Sequence, residues 1–139
     1  MASLIPKFVK KEITDVWVSE TWKLMLLSNI HTPNASTQHY VSDVVANEIV
    51  DTGGVYTAGG VAIAGKASVA NGNNYYLDAT DGSIGPESTV IFRYGILYKN
   101  TGNLATSPIR AQIDFLHDQS VVNGTSTIVW NALGIIYVS

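Results

Sequence analysis

The chain has 139 residues, the length of one ordinary domain. Apolar residues make up 46%, enough for one core, while charged residues make up only 14%, against about 25% in an average soluble domain; so little surface charge favours a protein whose surface is partly covered by neighbours. A formal net charge of −3 and the lack of cysteine exclude a basic nucleic-acid stripe, disulfides, and thiol or zinc-thiolate chemistry.

Met1 to Phe8 lacks the long apolar run of a signal peptide. No later stretch reaches the roughly 18 apolar residues that span a bilayer, so a soluble protein made in a cytosol, with no membrane partner, is expected. Lys7, Lys10, Lys11 and Lys23 alternate with Glu12, Asp15 and Glu20, a solvated mixed-charge face and not a nucleic-acid surface. Met1 to Lys11 shows no clear core face. That stretch is expected to be an arm that orders only on a partner; residues 1–16 are expected as an N-terminal arm or extension, and residues 17–139 as a single β-sandwich.

Trp17 to Ser28 reads as the first core strand region, centred on Lys23-Leu24-Met25-Leu26-Leu27. Asn29 to Gln38, with Pro33, Asn34 and Ser36, reads as a loop. Tyr40, Val44 and Val45 fall at helical spacing, which allows a short helical turn near 40–46. Val61 to Val69 reads as one strand, Asn71-Gly72-Asn73-Asn74 as a hairpin turn, and Tyr75 to Ala79 as the strand pairing back. Ser88 to Tyr98 is the clearest strand. Val90, Phe92, Tyr94, Ile96 and Tyr98 are expected on one face, and Ile91, Arg93, Gly95 and Leu97 on the other.

Lys99 to Asn103 is a polar turn, and Pro108 can open the next strand, with Ile109, Ala111, Ile113 and Phe115 on one face. Asn123-Gly124 reads as another hairpin pair, followed by strands at Thr125 to Trp130 and Ile135 to Val138. The rhythm predicts an all-β chain, a single sandwich of jelly-roll or immunoglobulin-like type.

Sequence patterns for catalysis are weak. His39 and Asp43 stand four apart, as a metal pair on a helical turn would, but nothing else joins them. Asp114, His117 and Asp118 with Ser120 lack a nucleophile elbow and read as a polar turn. No carboxylate pair stands out for glycoside hydrolysis, and Gly53-Gly54 and Gly59-Gly60 are not followed by a Gly-Lys-Ser/Thr. No enzymatic activity, cofactor or metal is expected.

Asn47-Glu48-Ile49-Val50-Asp51-Thr52 with Tyr56-Thr57-Ala58-Gly59-Gly60 resembles a signature of small virion proteins of tailed bacteriophages. The resemblance continues in the same order through Trp22 to Leu27, Phe92 to Gly102, Ser107 to Phe115, Gln119 to Gly124 and Ile128 to Asn131. It departs at Gly53-Gly54-Val55, which adds residues before Tyr56, and at Ile84-Gly85-Pro86, where relatives often carry Trp. It implies a virion structural protein without catalytic residues. The expected role is a capsid decoration (cement) protein, a homotrimer clamping neighbouring copies of the major capsid protein outside the head, in a virion assembled in the host bacterial cytoplasm. The alternative is a tail, neck or fibre-associated protein or host-binding adhesin. Candidate contact residues are Lys7, Phe8, Lys10 and Lys11 in the arm, and Tyr75 and Tyr76.

Overall fold

The computed structural model describes residues 4–51, 56–132 and 134–138. Among these residues, seven strands form two antiparallel sheets. The first has the order β2 (Val61–Ala62), β1 (Trp22–Leu27), β5 (Gly82–Lys99), β6 (Ile109–Ile128); the second has β3 (Ala67–Asn71), β4 (Asn74–Asp78), β7 (Ile136–Val138). The expected all-β, sandwich-like fold is therefore the observed one.

β1 is apolar on both faces because both are covered. Trp22, Leu24 and Leu26 face a core shared with Leu77 of β4 and with Ile84, Val90, Phe92 and Ile128 of the long β5–β6 ribbon. Met25 and Leu27 face the other way, into a smaller cluster with Val41, Val44, Ile96 and Tyr98. That second cluster is roofed by two short 3-10 turns, Val41–Asp43 and Val45–Asn47. They are the helical turn expected near 40–46.

Two irregularities decide the faces of the ribbon. A register shift separates the pair Phe92–Gln119 from the pair Tyr94–Asp114. Side chains alternate with period two, so such a shift reverses them. Val90 and Phe92 consequently join the larger core, whereas Ile96 and Tyr98 join the smaller one, correcting the single alternating face expected for Val90 to Tyr98. The second irregularity lies at Asn123, whose φ is 47°. Asn123-Gly124 is not a hairpin turn but a bulge inside β6, with the Asn123 N–H donating to Thr89 Oγ1 at 3.0 Å and Gly124 opposite Ser88. Its tolerance of positive φ serves a strand partner instead of a chain reversal.

Val61 to Val69 is likewise two strands, not one. β2 belongs to the first sheet and β3 to the second, and the chain crosses between them at Gly65, where φ is +65°. The hairpin at Asn71 to Asn74 forms as expected.

Residues 7–19 form a helix, α1 (Lys7–Ser19), laid on β3 and β4. This differs from an arm that waits for a partner, and it takes Trp17 out of the first strand. The helix is held by Thr14 Oγ1 against Ser68 Oγ and by the Trp17 ring 6.0 Å from that of Trp22. Its inward face carries Lys10 and Thr14, both buried, while Phe8 and Val16 point outward. Trp17 and Val18 also pack inward on the core, so the two polar inward residues and the two apolar outward ones blurred the helical stripe in the sequence.

Candidate functional site

The contact candidates gather at one end of the second sheet. Lys7 Nζ lies 5.6 Å from the centre of the Tyr75 ring, a cation–π arrangement between α1 and β4. Lys10 is 8% exposed, and its ammonium is spent on Asn73 O at 3.2 Å and Asn74 Oδ1 at 2.8 Å, tying α1 to the hairpin. Lys11 pairs with Asp15 one turn on, at the surface. Phe8 is the exposed apolar member, at 69%. Tyr75 and Tyr76, the candidates on the sheet, are half-buried. The structure thus sets Lys7 on Tyr75 and Lys10 on the neighbouring Asn73 and Asn74, and all of these contacts join α1 to the hairpin.

The segment carrying the glycine signature builds a joint at the other side of β1. Glu48 accepts from the Tyr56 hydroxyl at 2.9 Å and from the Gly59 N–H at 2.7 Å. Asp51 accepts from the Tyr56 N–H at 2.6 Å and the Thr89 N–H at 2.9 Å. Tyr98 Oη donates to the Gly59 carbonyl. Burial pushes both hydroxyls up, that of Tyr98 to about 12 and that of Tyr56 beyond any physiological range, with the Glu48 charge adding to each. These groups stay protonated and act as fixed donors. Gly53-Gly54-Val55, the inserted residues, lie outside the described residues.

Elsewhere the polar groups are also committed. Glu20, 7% exposed at its side chain, holds Arg110 in two hydrogen bonds of 3.0 and 2.6 Å and accepts Trp22 Nε1 at 3.0 Å. Burial alone would raise the Glu20 pKa, but the Arg110 and Trp22 bonds and the charges of Arg110 and Lys99 together lower it. Asp43 caps the first 3-10 turn, accepting the N–H groups of His39 and Tyr40 at 2.9 Å each, so it is not turned toward His39 as a metal ligand. Asp114 holds Arg93, and those bonds with the Leu116 N–H keep its carboxyl below the usual range. His117 and Asp118 sit beside it in the irregular part of β6, not in a turn. Among the described residues no group of three or more His, Asp or Glu is placed to hold a metal ion.

The feature that sequence reasoning missed is the bare part of the first sheet's outer face. There Val50, Ile91 and Val122 are 82%, 59% and 76% exposed and line a shallow open groove of about 320 Å³ with Thr89 and Ser120. The signal was Ile91, an apolar residue facing away from buried Val90 and Phe92, but alternation could not show which end of that face lacks a covering segment. Comparison with known proteins returns no match to any protein-family model, curated protein or solved structure.

Proposed function

We propose that the chain is a structural protein of a tailed-bacteriophage virion, without catalytic activity: a capsid decoration protein that acts as a homotrimer and clamps copies of the major capsid protein from outside the head. The observation that carries this reading is how the signature residues are used. Glu48, Tyr56 and Gly59 bond to one another and to β1, and Gly60 sits so close to the Leu24 carbonyl that a Cβ would overlap it. The residues that resemble a virion family thus make a joint of the scaffold, as a protein acting through its surface requires. Low charge and the exposed Phe8, Ile91 and Val122 suit contacts made by burying surface, multiplied by the valency of an oligomer. Binding to the expanded shell in preference to its precursor would stabilise it by mass action.

The test is to mix the purified protein with undecorated, expanded phage heads and count bound copies by electron microscopy. Regular density at local symmetry axes is expected. Bare heads, with binding to tails or host cells instead, would overturn the decoration role in favour of a tail or adhesin role.

A further inference from the structure

A pocket of about 600 Å³ lies where the loop at Pro33 to His39 meets the start of β6, in the size range of small-molecule sites. Its polar wall is Gln38, His39, Arg110 and Gln112. The backbone fixes how these side chains point their bonds. Gln38 must turn Oε1 to the Asn34 N–H at 2.8 Å and Nε2 to the Thr32 carbonyl at 3.0 Å. Gln112 then has to present Nε2 to Gln38 Oε1 at 3.0 Å and Oε1 to His31 Nε2 at 2.9 Å, which makes His31 the donor of that last bond. Both amide oxygens are thereby engaged, while each Nε2 keeps one N–H. Arg110 gives Nε and Nη2 to Glu20, which leaves its Nη1–Nη2 edge, the fork that grips an oxyanion. We propose that this pocket binds the oxyanion group, carboxylate or phosphate, of a small organic ligand.

The hydrogen-bonding balance selects that ligand. His39 apart, whose ring can serve either way, the side-chain capacity left on the wall is donors only. A group that only accepts fits such a wall. A hydroxyl or ammonium also has to donate, and finds no side-chain oxygen left to receive it. Charge points the same way. No acidic side chain is among the described lining residues, and three cations, Arg110, Lys99 and Lys66, gather on Glu20. The site is also built in advance. Glu20, 7% exposed at its side chain, anchors Arg110, and His31, 2% exposed, anchors Gln112, so a ligand has little left to order. The apolar remainder of the wall, including Ala35 and Ala111, can cover the body that carries the anion. The inference is independent of the capsid role.

Titration of the isotope-labelled protein, followed by NMR, tests it with benzoate, phenyl phosphate and benzamide, which share a ring and differ in head group. At least one of the two anions is expected to bind with a Kd on the order of 1 mM or tighter, shifting the side-chain amide signals of Gln38 and Gln112. The tighter of the two names the head group. Benzamide is expected to bind at least about 10-fold more weakly. Gln112→Glu, which puts a carboxylate where a donor stood, is expected to weaken anion binding at least about 10-fold. Ala35→Trp fills the mouth from an exposed loop position and is expected to do the same with unchanged melting, which separates a blocked pocket from a damaged fold. Benzamide binding as tightly as the anions overturns the proposal, as do shifts confined to residues away from Gln38, Arg110 and Gln112. So does the absence of binding by either anion at concentrations on the order of 10 mM, or an Ala35→Trp protein that binds like wild type.

Discussion

The Tyr56 hydroxyl donates to Glu48 Oε1 at 2.9 Å while accepting the buried Leu26 N–H at 3.0 Å. One oxygen thus fastens the 48–60 segment to the centre of the first sheet. Tyr56→Phe keeps the ring but leaves a backbone donor and a carboxylate oxygen without that partner. It is expected to cost about 1–3 kcal/mol, read as a lower urea midpoint with an unchanged slope.

Glu20 gathers Arg110, Lys99 and Trp22 at the junction of α1 and β1. Its pKa is lowered on folding, so its contribution is fully present above the ordinary glutamate range and is lost as pH falls through the folded value. Glu20→Gln should destabilise the protein by about 2 kcal/mol near neutral pH, since it strands Arg110 beside an uncharged group. The gap from wild type should close on acidification. A gap independent of pH between 3 and 7, in thermal melts of both proteins, would count against this account.

Glycines with positive φ are not equivalent. At Gly60 (φ +100°) a Cβ would run into the Leu24 carbonyl, whereas at Gly72 (φ +59°) nothing lies within 4 Å. Gly60→Ala is expected to cost more than about 3 kcal/mol, combining strain with displacement of the sheet edge. Gly72→Ala carries only the conformational penalty of about 1–2 kcal/mol. Chemical denaturation of the two variants side by side checks the ranking.

Lys10 bonds the hairpin while Lys11, one residue on, bonds only within its helix. Lys10→Ala should loosen α1 by about 1–2 kcal/mol, seen as faster amide hydrogen exchange in residues 7–19 while β1 and β5 keep their protection. Lys11→Ala should leave exchange unchanged.

What the sequence revealed and what it concealed divide along physical lines. The hairpin at Asn71 to Asn74, the apolar β1 and the centre of β5 were legible, because local turn chemistry and long apolar runs signalled them. α1 was not, since Lys10 and Thr14 turn inward to bond Asn73, Asn74 and Ser68, whereas Phe8 and Val16 turn outward. The bulges of β6 were not legible either. Asn123 and Leu116 take positive φ within a strand whose pairing with β5 is long-range, and local propensity carries no record of that partner. The bare face at Ile91 and Val122 depends on which end of the sheet lacks a covering segment, so it too emerged only from the structure.

β1 lies between β2 and β5, pairing Trp22 with Lys99 and Leu27 with Tyr94. Its principal partner is encoded far downstream. At translation rates of about 5–20 residues per second, the nascent Trp22–Leu27 segment spends several seconds before β5 is made to receive it. Its six residues are mostly apolar, so this is the interval in which the growing chain is most open to mispairing with its neighbours on a polysome. A chaperone that shields unpaired strands would act there, before β5 leaves the ribosome, and would have little to hold once the ribbon closes.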